Sequence, residues 1–305
     1  MKKIVVVGSI NMDLVTICER APRGGETLLG KKFMQIPGGK GANQAVAMGK
    51  MKSPVSMLGK VGKEGMGDIL LNSMKQNGVD VSNIEYCDEA TGIAKIIVEE
   101  NGQNRILVVP GANYEVDKLY IDKHLEVIKN SDIVVTQLEI PLETVKYTLQ
   151  KAKEFGKITV LNPAPATKLD EDIISNSDYI IPNETELELL SGASITDENS
   201  VIEASKILLN KGVKGLIVTL GSKGCIFISK NEVKSFSAYK VKAIDTTAAG
   251  DSFIGGFING LASGLNFDEA IDRGTKVAAI SVTRIGAQTS IPTFEEVLNF
   301  KESII

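Results

Sequence analysis

Short β-branched and apolar runs alternate with amphipathic stretches along most of the chain. The runs 4–7, 133–137, 159–161, 179–181 and 216–219 predict buried strands. The stretches 41–51, 67–77, 141–155 and 200–212 carry apolar residues at helical spacing. Strands alternating with helices predict an α/β, doubly wound, mostly parallel central sheet with helices on both faces. Folds of this kind bind ligands beyond the carboxyl ends of their strands, so chemistry is sought there.

Two regions break the alternation. The runs 14–17 and 27–35 read as short strands around a turn-rich 20–25, and 92–99 and 105–109 flank Glu100-Asn101-Gly102-Gln103, a hairpin turn. These predict a small discontinuous sheet, inserted from about 12–38 and 91–111 into a single domain spanning 1–305. A sheet of that size is not stable alone. It is expected to cover a substrate cleft or to pair with the same sheet of a second subunit.

Composition narrows the field. The net charge is −4 with Lys and Arg dispersed, so the basic stripe of a nucleic-acid binder is missing. No run approaches the roughly 18 apolar residues of a membrane helix. Cys18, Cys87 and Cys225 are odd in number and lack metal spacing, which predicts reduced thiols and a cytoplasmic protein. The only histidine, His124, falls in a charged helical segment, arguing against a Ser-His-Asp triad or a His-rich metal site.

Several strand ends carry candidate chemistry. Asp245-Thr-Thr-Ala-Ala-Gly-Asp251 leads into an apolar, small-residue helix. A small-residue loop entering a helix aims backbone N–H groups at one point, which suits the charge on a transferring phosphoryl group. Asp251 there is placed to take a proton from an attacking hydroxyl, although Asp is equally common as a helix N-cap. Pro37-Gly-Gly-Lys-Gly-Ala-Asn-Gln44 permits close backbone approach and offers Lys40 and Asn43 as donors, but it is not a Walker loop. Asn11 and Asp13, on extended chain, point the same way as a donor and an acceptor for vicinal hydroxyls. Pro182-Asn183-Glu184-Thr185-Glu186 suits a hydrated Mg²⁺ or, equally, a helix cap. Thr219–Gly224 forms a loop open enough for a nucleotide. Gly62-Lys-Glu-Gly65-Met-Gly67 has its spacings in the wrong order for a dinucleotide fingerprint and reads as lying outside a strand-turn-helix start.

Taken in order, these stretches closely resemble the ribokinase (PfkB) family of carbohydrate kinases. Gly38-Gly-Lys-Gly-Ala-Asn43 is similar to its first signature and Asp245–Asp251 to its second, where Ala249 stands in place of the usual Gly. Gln137-Leu-Glu139, Leu161-Asn-Pro-Ala-Pro-Ala166 and Pro182–Glu186 narrow the resemblance to the ribose-phosphorylating branch. The resemblance implies transfer of the γ-phosphate of ATP to the 5-hydroxyl of D-ribose, with Asp251 as base and Ala248, Ala249 and Gly250 as anion hole. It implies sugar contacts from Asn11, Asp13, Gly39, Lys40, Asn43 and Glu139. It places ATP against Asn183, Glu186, Thr219, Gly221, Ser222, Gly224, Gly250 and Thr275. Mg²⁺ accompanies the nucleotide, and a K⁺ site is implied at Asp245, Thr247, Ser281, Arg284, Gly286 and Ser290. Dimerisation through the small sheet is implied as well. A sibling acting on deoxyribose, fructose or a nucleoside is the alternative; a binding-only regulator is disfavoured by Asp251, Lys40 and Asn43, and an NAD enzyme by the missing fingerprint.

Overall fold

The computed structural model describes residues 1–301. Its centre is a nine-stranded sheet that takes in Ile4–Val7, Ile133–Thr136, Ile158–Leu161, Tyr179–Ile180 and Gly215–Thr219 as parallel neighbours. Ile4 and Val6 pack into one apolar cluster, Val5 and Val7 into another on the opposite face. That is the reason these strands read as continuous apolar runs: both faces are covered.

The sheet is mostly parallel, as expected, with an antiparallel edge where Thr219 leads to Cys225–Ser229 and then Val233–Phe236. The connection from Thr219 to Cys225 is too short for a crossover helix, so the chain must turn back on itself. At the other edge, Val55–Leu58 and Val79–Asp80 complete the sheet.

A separate four-stranded sheet orders Lys32–Gly38, Asn11–Cys18, Gly92–Glu99 and Asn104–Val109. The strand expected at 27–35 instead begins at Lys32, because pairing runs only from Asn11 opposite Gly38 to Ile17 opposite Lys32. Residues 27–30 have no partner strand, and Leu29 there is 94% exposed. The strand expected at 14–17 reaches back to Asn11, placing Asn11 and Asp13 on one face.

One reading is corrected. The Gly62–Gly67 segment does join a strand, Lys60–Gly62, to a helix, Met66–Gln76. The turn is filled by protein: the Thr91 hydroxyl accepts from the Gly62 N–H, and Glu64 accepts from the Thr91 N–H. It holds no space for a phosphate, because a Cβ on Gly67 would lie 2.5 Å from the Gly62 carbonyl. His124 separates two short helices and meets Glu85 and the Tyr120 ring, a packing role.

The helix Ala249–Ala262 lies against Lys40–Lys50 and Phe267–Ser281. Close approach is written in glycine. A Cβ on Gly255 would meet Ala47 at 2.2 Å, and one on Gly260 would meet Ala270 at 2.6 Å. One turn before the Gly255–Ala47 contact, the same two helices bring Asp251 to Asn43.

Candidate active site

The sugar-side residues gather where the small sheet meets the Lys40 helix. Gly39 has φ 89, and a Cβ there would strike the Asn11 amide at 2.7 Å, so this turn requires glycine. Gly38 lies against the Asp13 carboxylate, which a Cβ would meet at 2.5 Å. Glu139 accepts from the Ser9 hydroxyl at 2.5 Å and the Lys40 N–H at 3.0 Å, pinning the helix start to the end of a central strand.

Asn113 orients Asn11, and no sequence signal singled it out. The Ile10 N–H can only donate, so Asn113 turns its Oδ1 to it at 2.8 Å and its Nδ2 to Asn11 Oδ1 at 2.6 Å. Asn11 therefore presents its amide N–H groups outward. Asp13 supplies the acceptor beside it. Burial, with Glu139 and Asp251 adding negative charge against Lys40, pushes the Asp13 carboxyl up to about 7.

Asp251 is not the helix N-cap. Ala248 holds that place, in the left-handed region with φ 58, and makes no side-chain cap. Asp251 stands in the first turn, almost fully buried, and accepts from Asn43 Nδ2 at 3.0 Å and Gln44 Nε2 at 2.9 Å. The first N–H groups of any helix lack an intrahelical acceptor; here the Ala249 N–H turns back to the Thr246 carbonyl at 3.2 Å, and those of Gly250 and Asp251 stand at the helix start. Burial disfavours the Lys40 ammonium, but Asp251, Glu139, Glu186 and Asp13 outweigh it and hold the lysine charged above its usual range.

Two clefts meet at the start of this helix. The narrower, about 220 Å³, is lined by Lys40, Asn183, Glu186 and Ala248–Asp251. Lys40, read from sequence as a sugar ligand, thus lines this cleft as well. Asn183 and Glu186 form the reciprocal helix cap, and both also line this cleft. Burial raises the Glu186 carboxyl above its ordinary value, against the Asn183 N–H and Lys40.

The wider cleft, about 450 Å³, is lined by Thr219, Gly221, Ser222, Gly224 and Thr275, with Phe253, Val241 and Val282 as apolar walls. Both clefts share Thr219, Thr246, Ala249 and Gly250. Gly224 has φ 103, and a Cβ there would overlap the Phe236 carbonyl at 1.9 Å. Thr275 donates its hydroxyl proton to the Ile271 carbonyl at 3.0 Å, leaving only lone pairs for the cleft. Tyr239 and Val241, also on these walls, had no motif to mark them, and Thr246 lies within the Asp245–Asp251 run without having been given a role.

The residues read as a cation site fall at one corner. Asp245 accepts from the Thr247 and Gly286 N–H groups, each at 2.9 Å, tying two loops together. These bonds hold its carboxyl below its usual range, against burial. Ser281 and Ser290 are buried, their hydroxyls on Ala278 and Ala287 carbonyls, and the Arg284 guanidinium turns away to Glu296. Among the described residues no cluster of three or more His, Cys, Asp or Glu could hold a metal ion.

The family model for pfkB family carbohydrate kinases matches residues 1–294. A ribokinase of Schizosaccharomyces pombe is 44% identical over 308 residues, covering 97% of this chain and of that protein. A deoxyribokinase of Salmonella typhi is 37% identical over 295 residues, with 96% of each chain covered. The solved structure of Arabidopsis thaliana ribokinase complexed with ribose and ATP has a TM-score of 0.93 at 31% identity, covering 98% of this chain and 99% of that one. Buried charge on the sugar side, a small-residue helix start beside an open cleft and full-length similarity converge: the chain belongs to the pfkB family of carbohydrate kinases.

Proposed function

We propose that this chain transfers the γ-phosphate of ATP to the 5-hydroxyl of ribose. The observation that carries the reading is Asp251, held by Asn43 and Gln44 where the sugar side and the helix N-terminus meet. The sugar binds between Asn11, Asp13, Gly39, Lys40, Asn43 and Glu139. Asp251 takes the proton of the attacking hydroxyl, a contribution of about 10²–10⁴ in rate for a positioned base. Within the backbone anion hole at 248–251, the N–H groups of Gly250 and Asp251, with Lys40, stabilise the charge spreading over the phosphoryl oxygens.

ATP occupies the two joined clefts, its base against Thr275 and its phosphates toward Gly250. Mg²⁺, when bound, neutralises the nucleotide phosphates; the single Glu186 beside Asn183 fits contact through water. Asp245, Thr247, Ser281, Arg284, Gly286 and Ser290 would hold an activating K⁺, several of them through backbone oxygens. The protein works in the cytoplasm, in keeping with its three unpaired cysteines. No helix among the described residues is long and apolar enough to cross a membrane.

The four-stranded sheet acts as a lid over the sugar and pairs two subunits. Its edge strand is exposed along its whole length, with Ile106 58% and Leu107 64% accessible. A long, apolar edge of this kind calls for a partner. A dimer by light scattering is expected; a monomer at micromolar concentration contradicts the pairing.

Asn11 with Asp13 favours a sugar with adjacent hydroxyls, since a deoxy analogue leaves buried groups unpaired at about 1–3 kcal/mol. A coupled ADP-release assay over a sugar panel, with and without K⁺, tests the reading. Turnover with ribose above deoxyribose, raised by K⁺, is expected. Turnover with another sugar alone overturns the substrate and leaves the kinase standing.

A further inference from the structure

Asp251 is the visible end of a longer buried chain of amides. Asn162 Nδ2 donates to the Ile181 carbonyl at 3.1 Å. Gln44 Nε2 donates to Asn162 Oδ1 at 3.2 Å and to Asp251 Oδ1 at 2.9 Å. Gln137 Nε2 donates to Gln44 Oε1 at 2.6 Å. Asn162, Gln44 and Gln137 are all buried.

The polarity of this chain is forced from one end. A backbone carbonyl only accepts, so Asn162 must turn its NH₂ to Ile181 and its oxygen to Gln44. Gln44 must then present its NH₂, and the same group reaches Asp251. Its oxygen is left for Gln137, which must donate in turn. The sequence ends in Gln137 Oε1, a buried acceptor with no partner, packed so closely on Gly8 that a Cβ there would lie 2.0 Å away. Leaving a buried amide oxygen unpaired costs about 1–3 kcal/mol. A core with no use for the polarity would be more stable with apolar side chains at these places.

We propose that Gln44, with its amide orientation locked by Asn162 and Gln137, is a positioning residue that fixes the Asp251 carboxylate for proton abstraction. This rests on Asp251 being the base. Asn43 grips Oδ2 from one side of the carboxylate and Gln44 grips Oδ1 from the other, so rotation about the carboxylate plane is blocked while the remaining lone pairs stay free. Gln137 lies two residues before Glu139, so one short segment also anchors the Ser9–Lys40 side of the sugar cradle.

The test is a double-mutant cycle on the full chain with ribose and ATP. Gln44→Leu is expected to lower kcat at least about tenfold with ribose and ATP KM values within about threefold, since misplacing a reacting group is felt in the chemical step. Gln137→Glu is expected to do the same, because a carboxylate there draws the Gln44 NH₂ away and turns its oxygen on Asp251. In an Asp251→Asn background, Gln44→Leu should cost less than about twofold more, as residues acting through one group are not additive. An unchanged kcat in folded Gln44→Leu and Gln137→Glu, or an equal further loss in the Asp251→Asn background, overturns the proposal. If Gln44→Leu does not fold, Gln137→Glu decides alone. Near-normal turnover of Asp251→Asn by itself would instead remove the base assignment on which the proposal stands.

Discussion

The two halves of the candidate site are built by opposite means. On the side proposed for the sugar, side chains supply the polar groups: Asn11, Asp13, Lys40, Asn43 and Glu139 converge, most bonded to other side chains or to backbone. On the side proposed for the nucleotide, the wide cleft is walled by Phe253, Val241 and Val282, and its polar part comes from a glycine-containing loop and a helix start. A hydroxyl-rich ligand is selected by buried polar groups that it alone can satisfy. A nucleotide is held by shape and by backbone N–H groups, which tolerate side-chain change. Substitutions should therefore cost more on the first side than on the second.

The largest of these expected effects comes from Lys40, which with Asp251 lies where the two sides meet. Lys40→Met removes the ammonium that balances Asp13, Glu139, Glu186 and Asp251, and kcat should fall by about 10²–10³, as when one charge-stabilising donor is deleted. A loss below tenfold would show that the helix N–H groups suffice. Next, Gly255→Val forces the Asp251 and Lys40 helices apart at Ala47, and a displacement of about 1 Å should cost about 10² in kcat. Stopped-flow measurement of the chemical step would check it.

Asp13→Asn should raise the ribose KM roughly 5–150-fold, equivalent to about 1–3 kcal/mol, with the ATP KM unchanged. It also has a signature in stability. The folded carboxyl, raised to about 7 from 3.8, binds its proton more tightly than the unfolded one. Its favourable contribution is complete below about pH 4 and is lost as pH rises toward 7. The melting temperature of the wild type should thus fall relative to Asp13→Asn across that window; parallel curves would contradict the burial of this charge. The smallest effect is reserved for the nucleotide side. Thr275→Ala should change the ATP KM by no more than about tenfold and leave ribose untouched, the worth of one net hydrogen bond.

Much of this was legible in the sequence because backbone geometry and residue type agree there. The run 4–7 reads as a buried strand, and the structure makes it one covered on both faces. Asn11 and Asp13 share a face as soon as their strand is extended. The glycines around Lys40 mark positions where a Cβ has no room. What stayed hidden depends on distant partners. Asp251 does not cap its helix because the helix already starts at Ala249, and it reaches Asn43 across 208 positions of sequence. Asn113 reaches Asn11 across 102 positions of sequence, with only its burial to mark it. The antiparallel edge and the late start of the Lys32 strand follow from pairing, which local pattern does not carry.

The most direct measurement is single-turnover phosphoryl transfer by Asp251→Asn, alongside ribose binding by calorimetry. Ribose affinity within about threefold of the wild type, with the chemical step at least about 10²-fold slower, is what a positioned general base predicts. A near-normal chemical step would contradict it.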